Sequence, residues 1–271
     1  MIPHLLVAVP TRYWGMDAEE RDKASRRQEA IRKLLAAAAH SLRTLTLYWT
    51  ALDLVASELA FPLLEDLSVE RFDSIGRGLP ILPSLHRLHL TQYFGWSGFW
   101  PLLASVAPAL THVRLTGLSQ DTELARFLRN LFDLPVPANA ESVMTPGLVP
   151  PYPPGTPEAA AAKMLSSLRT VIAEPVEYTS NSVYADGLVT NLQMKAGLAV
   201  AANECRQGAG KGMLYILPDT FEYLVSEALR EWLELVEGGS GPWATTEEHA
   251  TRCHIGCEPT IIDSINYAFR L

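Results

Sequence analysis

Four stretches of the chain carry apolar residues in the same frame, Leu-x-x-Leu-x-Leu with conservative variation. They are Leu42, Leu45, Leu47; Leu64, Leu67, Val69; Leu85, Leu88, Leu90; and Leu110, Val113, Leu115. Their first positions lie 22, 21 and 25 residues apart. Pro62, Pro83 and Pro108 each stand two residues before the first leucine of their frame. Proline ends what precedes it and biases its neighbour toward extended backbone, which predicts a fixed start for each strand. The fourth and sixth positions, two apart, point to one side of a strand, and the first turns inward as the strand begins. One such strand cannot bury its apolar face alone, whereas stacked copies enclose a continuous core.

Between the frames the pattern changes period. Residues 52–59 and 123–132 carry apolar positions at helical spacing, the latter after a candidate N-cap, Asp121. Residues 99–106 fit a short helix, since Pro101 is tolerated in a first turn. Residues 73–82, with Gly76, Gly78 and Pro80, predict an irregular segment. Upstream, Asp17 and Glu20 form a capping box opening a helix toward His40, with Ile31, Leu34, Leu35 and Ala38 on one side. Its basic residues Arg26, Arg27, Arg32 and Lys33 are interspersed with glutamates; they read either as a solvated face or as a surface for an acidic partner.

The run 134–157 holds eight prolines and predicts a loop, either an inserted crossing or a polyproline ligand for an aromatic-lined groove. Beyond it a helix over 157–167 leads into a strand at 168–173, where Leu168 and Val171 keep the first two frame positions. A helix over about 188–205 and a strand at 213–217 follow. Asp219 and Glu222 form a second capping box, and Phe221, Leu224, Val225, Ala228, Leu229, Trp232 and Val236 make one apolar stripe ending at Gly238 and Gly239. This last helix is expected to close the far end.

The spacing falls in the period of leucine-rich repeats, roughly 20–29 residues. The expected fold class is therefore α/β: a leucine-rich-repeat solenoid, an irregular horseshoe with a parallel sheet on its inner side, helices and loops outside, and helical caps. The domain reading is an N-terminal capping region at 1–40, the repeats at 41–243 with the proline-rich loop inserted, and a tail at 244–271.

The third, fifth and seventh frame positions would line the inner sheet surface: Thr44, Thr46, Tyr48; Asp66, Ser68, Glu70; Arg87, His89, Thr91; and His112, Arg114, Thr116. Of these, Tyr48, Asp66, Glu70, Arg87, His89, His112 and Arg114 are the candidate protein-binding residues, because an acidic rung beside two basic-to-polar rungs can fix the register of a charged partner. Strand positions facing water are polar in any case, and that reading stands beside the first. Tyr93, Phe94, Trp96, Phe99 and Trp100 crowd one strand exit and read as core or as interface anchors.

The repeats, their prolines and the acidic, tryptophan-bearing last helix running into Gly238, Gly239, Ser240, Gly241, Pro242 and Trp243 resemble the leucine-rich part of large fungal F-box-like families, over about residues 40–243. The resemblance implies that the repeats select a protein substrate, for a ubiquitin ligase where an F-box docks on the cullin adaptor. The Leu-Pro-rich helices of an F-box do not precede the first repeat, so ligase recruitment is not implied directly. The asparagine common near position nine of such repeats is replaced by Thr50, Phe72, Tyr93 and Leu118, which predicts an irregular coil without an asparagine ladder.

Composition changes this picture little. The 30 acidic against 22 basic side chains give a net charge of −8, which disfavours a nucleic-acid partner. Three cysteines, Cys205, Cys253 and Cys257, suit a reducing compartment rather than a disulfide framework. Residues 1–10 lack the basic start of a secretory signal, and no stretch reaches the ~20 apolar residues of a membrane span. A cytoplasmic or nuclear protein without membrane contact is expected.

Gly208, Ala209, Gly210, Lys211 and Gly212 imitate a phosphate loop, but Cys205 replaces its first glycine and Gly212 its magnesium-binding hydroxyl, so a turn is expected. His249, Cys253 and Cys257, with His254, form the alternative: a zinc-stabilised or catalytic protein centred on the tail. No nucleophile elbow or His-Glu-x-x-His pair appears. The leading expectation is a non-catalytic protein-binding module without cofactor.

Overall fold

The computed structural model describes residues 3–8, 17–48, 59–70, 80–91, 98–119, 121–135, 151–176, 185–217, 225–239 and 241–243. It is an α/β structure built on a seven-stranded parallel sheet whose spatial order is the sequence order. The strands are β1 (His4–Ala8), β2 (Thr44–Tyr48), β3 (Asp66–Val69), β4 (Arg87–Leu90), β5 (His112–Leu118), β6 (Thr170–Pro175) and β7 (Met213–Ile216). Six α-helices are described: α1 (Ala18–Ala38), α2 (Phe99–Val106), α3 (Thr122–Phe132), α4 (Pro157–Met164), α5 (Ala185–Arg206) and α6 (Val225–Val236), followed by a 3₁₀ turn at Gly241–Trp243.

The frame explains the sheet. Leu45, Leu67, Leu88, Val113, Val171 and Leu214 stand side by side across β2 to β7, and each is at most 2% exposed. The first-position residues Leu42, Leu64, Leu85, Leu110 and Leu168 are buried with them, in one hydrophobic cluster running from Ile31 to Leu214. At about 1.5–3 kcal/mol for each large side chain removed from water, this column dominates the stabilisation of the sheet.

The prolines stand in tight turns that lead into the strands. Leu64, Leu85 and Leu110 donate their N–H groups to the carbonyls of Phe61, Leu82 and Ala107. Pro62, Pro83 and Pro108 thus occupy the second position of tight turns, where a fixed φ near −65° is already correct. Leu168 bonds Leu165 in the same way without a proline. Ser84 and Ser167 tie successive turns together, donating to the Pro62 and Pro108 carbonyls at 2.6 and 3.0 Å.

The helices form where their local signals lie. Asp17 accepts from the Glu20 N–H at 2.8 Å at the start of α1, and Asp121 caps α3 through the N–H groups of Glu123 and Leu124. Thr156 caps α4, with Pro157 in its first turn. On α1, Ile31, Leu35 and Ala38 are buried, whereas Leu34 is 40% exposed and lies outside the core. Of its basic residues, Arg26 pairs with Asp22, and Arg32 and Lys33 pair with Glu29, on the solvated face. Strand β1 was not anticipated; it adds in parallel to the edge of β2, with Leu5 beside Leu45 and Val7 beside Leu47.

Two aromatic candidates resolve as core: Phe99 and Trp100 are 1% and 5% exposed, and Trp100 stacks on Phe127 at 4.2 Å. The end of the proline-rich run is pinned to α3, where Tyr152 exchanges hydrogen bonds with the Asn130 side chain and reaches the Glu123 carboxylate at 2.7 Å. The glycine run after α5 is a turn, as expected. Gly208 has φ 74°, and a Cβ at Gly212 would overlap the Phe132 ring. The segments 52–58 and 73–79, the second capping box at Asp219 and Glu222, Tyr93, Phe94 and Trp96, most of the proline run, and the tail at 244–271 lie outside the described residues.

Candidate functional site

The strand face opposite the leucine column carries the polar frame positions in register. One row is Thr44, Asp66, Arg87, His112 and Thr170; the next is Thr46, Ser68, His89, Arg114 and Ile172. A third includes Thr116 beside Glu174, just before a register shift between Thr116 and Leu118. Gly117, at φ 70° within that shift, takes a conformation that glycine adopts without strain.

These side chains form a cross-strand lattice. Asp66 accepts two hydrogen bonds from Arg87 in a forked pair. His89 is fully buried, with Ser68 Oγ 3.3 Å from Nδ1 and Thr116 Oγ1 2.9 Å from Nε2. Thr116 donates its own hydroxyl proton to Glu174 at 3.1 Å. It can therefore only accept from His89, which assigns the imidazole proton to Nε2 and leaves Nδ1 to accept from Ser68. Burial, and after it the Arg114 charge, hold the His89 pKa well below its ordinary value, so the ring is neutral. His112 is lowered too, by burial first and then by Arg87.

Arg114 is the centre of the lattice. Its Nη2 donates to Glu174 at 2.9 Å, and its Nη1 donates to Glu231 at 3.0 Å and to the Pro242 carbonyl at 2.9 Å. Glu231 belongs to α6 and Pro242 to the turn behind it. The helix expected to close the far end instead contacts β1 and β2 and lies over the polar face. The reason is chemical: its stripe is interrupted by Glu231, which is 7% exposed and finds its cation on β5. The side of α6 turned to the sheet is Ala228, Glu231, Trp232 and Leu235, while Leu229 and Val236 of the expected stripe are 43% and 38% exposed. Trp243 completes the cover, edge-on to His89 and His112 at 6.5 and 6.2 Å and 6.0 Å from the Arg87 guanidinium carbon.

Of the candidate binding residues, Asp66, Arg87, His89, His112 and Arg114 are therefore brought together, but beneath α6 and Trp243 rather than open to solvent. Tyr48, Asp66 and His89 are buried; Arg87, His112, Arg114 and Glu70, the last just past the end of β3, are partly buried. Three contributors escaped the sequence reading. Glu174 was legible, because it holds the seventh position of the frame that starts at Leu168, as Thr116 does of its own frame. Glu231 and Trp243 carry no frame signal.

Ser68 and His89 are spaced as a nucleophile and a base, but the second ring nitrogen meets a hydroxyl rather than an orienting carboxylate, and α6 leaves only a small cavity above them. Among the described residues no group of three or more His, Cys, Asp or Glu side chains is placed to hold a metal, and no helix is long and apolar enough to cross a membrane. His249, Cys253 and Cys257 lie outside the described residues. Cys205 is buried, and its thiol pKa is raised by that burial.

Comparison with family models, with curated proteins and with solved structures finds no match to this chain.

Proposed function

We propose that this chain is a leucine-rich-repeat solenoid that acts as a non-catalytic protein-binding module through the polar face of its sheet. The observation that carries the reading is Arg114: a largely buried guanidinium divided between a carboxylate of its own sheet and a carboxylate and carbonyl presented by a separate helix. A strand face that already satisfies a docked helix with charge-assisted hydrogen bonds has the chemistry of a recognition surface. By the resemblance noted above, substrate selection in an F-box-like protein is the use that fits such a face. The partner is another protein in the cytoplasm or nucleus, and neither nucleic acid, membrane nor cofactor takes part.

The test is affinity capture from a native lysate with the wild-type chain and an Arg87→Gln/Arg114→Gln variant, both checked for folding by circular dichroism. Specific proteins retained by the wild type and lost by the variant are the expected result. Identical captures from two folded proteins would remove the strand face from consideration.

A further inference from the structure

We infer that the strand face is a receptor for an acidic amphipathic helix of a partner protein, and that α6 with Pro242 and Trp243 is a built-in competitor which that helix displaces. The inference rests on the protein-binding reading and specifies its partner.

The face is complete without α6. The pairs Asp66–Arg87, Ser68–His89, His89–Thr116, Thr116–Glu174 and Arg114–Glu174 all run between strands. Withdrawing α6 and the turn behind it would take the Glu231 and Pro242 acceptors away from Arg114 Nη1, but these pairs between strands would remain. Such a surface is preorganised for a ligand that brings a carboxylate and a backbone carbonyl.

The helix that occupies it is an imperfect fit. Of the α6 side chains from 228 to 236, only Ala228 and Glu231 are buried. The Trp232 indole N–H is buried without an acceptor among the described residues, a cost of this docked arrangement. A cavity bounded by Thr46, Ser68, His89, Glu231 and Trp232 persists between helix and sheet. Between 228 and 236 the one buried charged group that ties α6 to the sheet is Glu231, and such a polar latch exchanges for another of the same charge. The charge is specified: residues 225–237 carry Glu227, Glu231, Glu234 and Glu237 against Arg230 alone. A displacing helix must likewise present a glutamate or aspartate to Arg114 and an aromatic ring to the His89, His112 and Arg87 corner.

The experiment uses the 271-residue chain and a labelled synthetic peptide of residues 225–243. In the Glu231→Lys chain the resident helix sets a cation against Arg114 and vacates the face. That variant should bind the peptide at least about tenfold more tightly than the wild type, whose face is occupied. Adding Arg114→Gln to the variant should abolish binding, and a peptide with Glu231→Lys should not bind. Hydrogen exchange on the wild type gives a readout that no variant can spoil: α6 amides should exchange well before those of β4 and β5.

Equal peptide binding by the wild type and the Glu231→Lys chain, or α6 amides as slow as those of β4, would overturn the inference. Lysate proteins captured through Arg87 and Arg114 should be enriched on the Glu231→Lys chain and released by excess peptide. Capture that persists at saturating peptide sinks the exchange while the protein-binding reading survives. Peptide binding with no protein captured by either form removes that reading, and the assigned partner with it.

Discussion

Several side chains here are fixed by one neighbour each. Gly212 lies against Phe132 so closely that any Cβ would enter the ring. Gly212→Ala is expected to cost about 1–3 kcal/mol through overpacking, read as a lower urea midpoint. Arg129, 1% exposed, joins α3 to α5 through Glu204 at 3.0 Å and donates to the Pro135 carbonyl at 2.8 Å. Arg129→Ala strands that carboxylate beside apolar surface and should cost about 3–5 kcal/mol, whereas Arg129→Met with Glu204→Leu should recover most of it. His89 makes stability depend on pH. Its ring titrates well below 6.5 in the fold and near 6.5 in the unfolded chain, so between these values the unfolded state binds more protons. Stability is full above pH 6.5 and falls as the pH drops below it. His112 acts in the same direction. Urea midpoints at about pH 7.5 and 5.5, both above the ordinary carboxylate range, should differ in that sense, and His89→Gln should reduce the difference.

Elements show why the sequence was readable in some places and not in others. Strands β2 to β5 were legible because the frame recurs, and recurrence tests itself: Leu88 matters because Leu67 and Val113 flank it. Leu88→Ala should cost about 2–5 kcal/mol, while Ile81→Ala, at a side chain 60% exposed, should stay within about 0.5 kcal/mol. Chemical denaturation of the two variants compares them directly. Strand β1 was missed because His4 to Ala8 is one apolar run without the frame, and its strand identity comes from pairing with β2. Helix α6 was located from its apolar stripe, of which Ala228 and Trp232 face the sheet, but it was expected at the far end rather than over the polar face. Its burial is decided by Arg114, 117 residues away in the chain, which local periodicity does not register. The polar frame positions were correctly assigned to one face. That a helix covers them is tertiary information, and only Glu174 among the missed residues stood in a position the frame could mark.

At the scale of the molecule, sheet order repeats chain order, so among the described residues each strand pairs with its predecessor and its successor alone. Stability in such an array approaches a sum over neighbouring contacts, and protection should be graded along it. Amides of β3 to β5 are expected to exchange last and those of the edge strands β1 and β7 first, as hydrogen exchange followed by fragment mass analysis would resolve. Helix α6 breaks the linear arrangement by returning to β1, β2 and Arg114. That return has a mechanical meaning. Strands that touch only their chain neighbours would separate in succession under a pulling force, like the turns of a spring. A load applied between residues 3 and 243 would fall at once on the β1–β2 ladder and on the seat of α6 and Trp243, so that the first slip would occur there rather than in each strand by turn.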